Sequence, residues 1–131
     1  MKWDTQRAKL GRLWEGSYMD KPAIDMVSIG HTIYETSKRL REGTNVLYKY
    51  AREYAEAEHA YRMQLAEEIM RLRDEGMPVT IINDVARGNV ADLKFKRDLA
   101  ELTYKTTRDM LQALQTEMSG LQTLYKRQEE I

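Results

Sequence analysis

With 131 residues, Lys plus Arg balanced against Asp plus Glu at 21 each, and 32% charged residues, the chain has single-domain length and the composition of long solvated helices. Neutral balance argues against a dedicated duplex-DNA binder, which needs a net basic surface. The absence of cysteine excludes disulfides, thiolate zinc sites and a cysteine nucleophile.

The first residues, Met1-Lys2-Trp3-Asp4, lead into charges rather than an apolar run, and no stretch approaches the ~20 apolar residues of a membrane span. A cytosolic protein, neither exported nor membrane-spanning, is expected. Within residues 1–22, Trp3, Arg7, Leu10 and Trp14 fall on one helical face, flanked by Lys2, Lys9 and Arg12. Aromatics among basic residues can stack on single-stranded bases or lie on a membrane surface. The favoured reading is plainer: a short helix whose tryptophans cover apolar residues of the following domain.

The cluster Glu15-Gly16-Ser17-Tyr18-Met19-Asp20-Lys21-Pro22 separates this segment from a helical domain over 23–131. From Ala23 to Asp74, apolar or small residues recur at steps of three and four: Met26, Ile29, Ile33, Thr36, Leu40, Gly43, Leu47, Tyr50, Tyr54, Ala57 and Tyr61. That is a heptad seam on a long helix, and it shifts afterwards to Leu65, Ile69 and Leu72. A second cluster, Glu75-Gly76-Met77-Pro78 to Arg87-Gly88-Asn89, reads as a connector holding one short helix, capped by Thr80 and ended by a left-handed Gly88. Asn89 is then the N-cap of a last helix whose seam runs Val90, Leu93, Arg97, Ala100, Tyr104, Thr107, Leu111, Leu114, Met118, Leu121, Tyr125 and Gln128.

The fold expected is all-α: a long antiparallel helical hairpin, coiled-coil-like, with a short helix at the connector. Folding back through that connector sets Leu72 opposite Leu93, Tyr61 opposite Tyr104, Tyr54 opposite Leu111 and Gly43 opposite Leu121, although a whole-heptad slip also keeps the seams facing. In this register Met26, Ile29 and Ile33 overhang the end of the partner helix, where the first residues would cover them. A second apolar row beside the last seam, Phe95, Leu99, Leu102, Met110, Ala113 and Leu124, is answered by Val27, Tyr34, Tyr48, Ala55, Met63 and Met70. So wide an apolar arc implies self-association into a helical bundle.

Chemistry-bearing patterns are few. Glu56 and His59 have the Glu-x-x-His spacing of di-iron bundles, but the seam turns both to solvent. His31 and Glu35 form an ordinary i, i+4 polar pair, and no phosphate-binding Gly-rich loop is present. Neither an enzyme nor a metal or other cofactor is expected. The hairpin tip gathers Arg87, Asn89, Lys94 and Lys96 near two helix N-termini, a candidate site for a phosphate or an acidic partner. Arg97 falls on the seam and must pair or escape to water, with Glu67 and Glu68 as its expected partners.

The runs Glu53-Tyr54-Ala55-Glu56-Ala57-Glu58-His59-Ala60-Tyr61-Arg62, Leu72-Arg73-Asp74-Glu75-Gly76-Met77-Pro78-Val79-Thr80, Asn83-Asp84-Val85-Ala86-Arg87-Gly88 and Leu93-Lys94-Phe95-Lys96-Arg97-Asp98-Leu99-Ala100-Glu101 resemble small helical proteins encoded by phages and prophages of Gram-positive bacteria. The resemblance covers roughly Tyr50 to Lys105, leaves out the first 25 residues and carries over no site residue. It implies residence in the bacterial host cytosol and an accessory role in early or recombination modules. Three functions follow as expectations. The leading one is a non-enzymatic accessory protein for DNA replication or recombination, a homo-oligomer binding a phage or host protein or single-stranded nucleic acid. The others are an inhibitor of host defence that captures a host protein or nucleotide messenger, and a purely architectural helical oligomer.

Overall fold

The structure, a computed structural model, describes residues 25–130; the binding residues read at Trp3, Arg7 and Trp14 lie outside them. Three helices account for nearly all of the described chain: α1 (Met26–Asp74), α2 (Val79–Asn89) and α3 (Ala91–Glu129). They form an all-α antiparallel hairpin in which α1 is one arm and α2 followed by α3 is the other.

The long arm begins where the Asp25 side chain accepts a hydrogen bond from the Ser28 amide at 2.6 Å, satisfying one orphan donor of the first turn. That bond also holds the Asp25 carboxyl below its ordinary pKa. The helix ends at Gly76, whose φ of 84° lies in the left-handed region that a Cβ disfavours. The Gly76 amide donates to the Arg73 carbonyl at 3.0 Å and the Met77 amide to the Leu72 carbonyl at 3.1 Å. These two bonds make a Schellman motif, and its customary apolar contact is present because Met77 packs back on the cluster around Leu72. Pro78, extended at φ −58° and ψ 134°, then opens α2. Its fixed φ suits a helix start, where a missing amide donor costs nothing.

The short helix does not hang at the connector. Ile82 and Ala86 pack on Leu72, with Leu65, Ile69 and Val85 around them, so α2 already runs back along α1. Val90, buried and the sole residue between α2 and α3, joins the two into one return arm. Three local expectations are thereby corrected, the first being that Thr80 caps α2, for the helix already starts at Val79 with Pro78 in the cap position and no side-chain cap bond. Gly88 is helical and has no positive φ, because the reversal has taken place at Gly76. Asn89 is not an N-cap, since Val90 holds that position without a side-chain bond and the Asn89 amide donates to Glu68 at 2.6 Å.

An early reversal moves the register. Tyr104 stacks on Tyr54 at a centroid distance of 6.3 Å rather than on Tyr61. Leu111 lies against Gly43, the place assigned from the seams to Leu121. The α3 residues therefore face α1 earlier than the connector reading placed them, Tyr104 by seven residues and Leu111 by eleven, and the seams still meet because both displacements are close to whole numbers of helical turns. The expected overhang disappears: Tyr125 reaches Gly30, and Ile29 is buried.

The seam residues of both arms are buried or half-buried from Met26 to Leu72 and from Val90 to Tyr125, whereas Gln128 is exposed. Yet no large side chain among the described residues is fully buried. Two helices bury a stripe and no more. Gly43 shows how close the arms come, since a Cβ there would overlap the side chain of Leu111, while one at Gly120 would meet open space.

Two outcomes test this arrangement. Cysteines at positions 43 and 111 should cross-link within one chain, whereas a pair at 43 and 121 should not; gel mobility under non-reducing conditions reads both. Gly120→Ala should raise unfolding free energy by roughly 1 kcal/mol through helix propensity, and Gly76→Ala should lower it by about 1 kcal/mol through left-handed strain, as measured by denaturant titration.

Candidate functional site

Between the arms, α1 offers small side chains, Ala57 and Ala60, and α3 answers with Ala100 and Thr103. Where small residues meet across a seam the helices leave a hollow, here a groove of about 630 Å³. Leu93 and Leu99 wall it on the α3 side, with Glu53 and Glu56 on the α1 lip and Lys96 on the opposite lip. The groove is apolar within and charged at its edges, which suits a helix or an apolar side chain with polar flanks.

On the other side of the hairpin sits the charge that the seam placed inside. Arg97 is three-quarters buried and its Nε bonds the carboxylate of Glu58 across the arms. Its remaining donors reach Asp98 at 3.0 Å and Glu101 at 3.8 Å, and its guanidinium stands 6.0 Å from the centre of the Tyr54 ring. Arg97 is thus structurally satisfied, but by Glu58 and not by Glu67 or Glu68. The register shift is the reason, for it brings α3 down beside the middle of α1. Glu68 is instead held by Arg71, at 3.1 Å to Nε, and by Asn89.

These contacts shape the titration of the groups. Glu58 lies below its ordinary pKa chiefly through the Arg62 hydrogen bond and then through that from Arg97. Glu68 is lowered by Arg71 first and Asn89 second. Arg71 and Arg97 are pushed further up by the same carboxylates.

The four residues read as a tip cluster are not at the tip. With the reversal at Gly76, Arg87 lies most of the way along α2, and Asn89, Lys94 and Lys96 follow down the arm over another ~14 Å. They also diverge in direction. Arg87 is exposed, Asn89 is bound to Glu68, Lys94 is tied to Asp98 at 2.8 Å, and Lys96 stands on the groove lip. The arrangement brings no two of them onto a common ligand position. Glu56 and His59 are both exposed, as their place off the seam requires.

Sequence reasoning overlooked Glu58 and the groove. The seam heptads carried the signal for both, because Glu58 lies beside Ala57 and the groove floor is made of small residues at or next to seam positions. Only the register makes either visible. Compared with protein-family models, curated proteins and solved structures, the chain finds no significant match.

The lowered carboxylates predict an acid-dependent loss of stability. A group whose folded pKa lies below its unfolded value stabilises the fold above the unfolded pKa, and loses that contribution as pH falls through the folded one. Wild type and Glu58→Gln should therefore differ most in melting temperature near pH 7, with the variant lower. The difference should shrink as pH falls from the ordinary value of 4.5 through the lowered one. A gap unchanged at acid pH would mean that the Glu58 charge does not matter.

Proposed function

We propose that this chain is a phage-type accessory protein for DNA replication or recombination, not an enzyme, that works by self-association and by holding a partner on its helical surface. The observation that carries the reading is the second apolar row. Phe95 is 70% exposed, Leu102 62%, and Leu99 and Met110 are also open to water along one side of α3. Contiguous exposed apolar surface on a soluble chain marks an interaction site.

A protein partner is favoured over nucleic acid. Lys plus Arg is balanced by Asp plus Glu at 21 each, and Arg52, Arg62, Arg71, Lys94, Arg97 and Lys105 are each engaged by carboxylates of the chain itself, so the chain offers no net excess of positive charge to phosphates. The accessory role rests on the resemblance of Tyr50 to Lys105.

Light scattering of the full chain at micromolar concentration should return a multiple of 15.4 kDa. A strictly monomeric species would sink the self-association. Labelled single-stranded oligonucleotide should shift weakly or not at all; a strong shift that fades with salt would transfer the partner class to nucleic acid.

A further inference from the structure

The back of α3 carries a seam of its own. Phe95, Leu99, Leu102 and Thr106 follow one another at steps of four, three and four, off the α1·α3 seam, with Leu99 at the border of the groove between the arms. Three of the four are large and apolar, and all three are more than half exposed. We infer that this stripe is the contact between two copies of the chain, packed with the two α3 helices antiparallel about a twofold axis near Ala100 and Glu101. The inference rests on the self-association proposed above and names its surface and register.

The neighbouring charges select the register. Antiparallel seams interlock when residues of one step face residues of the other, which allows pairings one heptad apart. In the pairing proposed, Leu99 meets Leu102 of the second copy, twice by symmetry, and Phe95 meets Thr106. Asp98 and Lys105, which flank the stripe on one side, then fall opposite each other, again twice. A heptad further one way sets Lys105 against Lys105 and drives Asp109 onto Leu99. A heptad the other way sets Asp98 against Asp98 and Asp92 onto Leu102. Both alternatives place like charges together and a carboxylate on the apolar contact. One register alone is free of this conflict.

Within one chain, Asp98 is held by Lys94 at 2.8 Å and by Arg97 at 3.0 Å, and Lys105 by Glu101 at 2.6 Å. Lys94 and Lys105 are each about half exposed, where i, i+4 pairs hold weakly, and a carboxylate oxygen can accept a further donor, so sharing Asp98 and Lys105 with a second copy meets little resistance. The area is adequate. The three large side chains expose on the order of 350 Å² in each copy, and with their polar flanks two copies approach the roughly 1,200 Å² of a specific interface. None of the stripe residues belongs to the α1·α3 seam, and Leu99, which borders the groove between the arms, is itself 53% exposed, so the seam does not rest on them.

Charge exchange tests the register on the full chain. Asp98→Lys alone and Lys105→Asp alone should each raise the self-dissociation constant about tenfold, measured by sedimentation equilibrium, because each sets two like-charged pairs together. An equimolar mixture of the two variants should recover wild-type affinity, since each copy then supplies the charge that the other lacks. Leu99→Glu with Leu102→Glu should give a monomer with unchanged helix content. Wild type that is monomeric at micromolar concentration overturns both this inference and the proposed self-association. Wild type that associates while Leu99→Glu/Leu102→Glu keeps the same mass leaves self-association standing and removes this stripe as its surface. Failure of the mixture to recover affinity overturns the antiparallel register.

Discussion

The left-handed turn at Gly76 sets the geometry of everything downstream. A Schellman motif closes the α1 carbonyls, turns the chain and delivers Met77 onto Leu72 within a few residues. Because the chain reverses there, α2 becomes the first part of the return arm. The pairing of α1 with α3 follows from counting back from that turn. Tyr104 comes beside Tyr54, Arg97 beside Glu58 and Tyr125 beside Gly30. Had the reversal stood nearer Gly88, the same seams would have met a heptad out of step, with the start of α1 uncovered.

A hairpin of two helices has a limit that no choice of register removes. Each helix can turn only one stripe toward the other, and the described residues contain no large side chain that is wholly shielded. The buried set is short: four branched aliphatics, Ile29, Leu72, Ile82 and Val90, beside Ala57, Ala86, Thr36 and Glu68. Apolar burial stabilises at about 25 cal/mol per Å², so a seam of half-covered side chains leaves much of the available driving force unused. Phe95, Leu99 and Leu102 carry that unused surface, and association is the direct way to recover it.

Charge follows a complementary logic. Most ion pairs among the described residues are local, at i, i+3 or i, i+4, and lie largely on solvated faces where water and salt screen them. Arg97 differs because it crosses the arms to Glu58 and occupies a seam position. A buried pair of this kind is a weak source of stability, but it penalises any slip that would leave Arg97 unpaired. Arg97 and Glu58 thereby reinforce the register that Gly76 establishes, and Asn89 with Glu68 does so higher on the same arm.

The sequence by itself determined the helices and their buried faces. The seam residues from Met26 to Leu72 and from Val90 to Tyr125 are those the structure buries or half-buries, and the second row from Phe95 to Met110 is exposed as the pattern required. Periodicity is a local property, written into successive residues, and it survives without knowledge of any partner. Register is not local. A heptad seam looks alike after every seven residues, so it cannot tell Tyr54 from Tyr61 as the neighbour of Tyr104. The decision fell to one glycine among several breakers in the stretch from Gly76 to Gly88. Only the tertiary structure showed which of them turns the chain, and with it the partner of Arg97, the dispersal of Arg87, Asn89, Lys94 and Lys96, and the groove beneath Lys96. A turn costs little to form at several places, and the packing of Ile82 and Ala86 on Leu72 chooses between them.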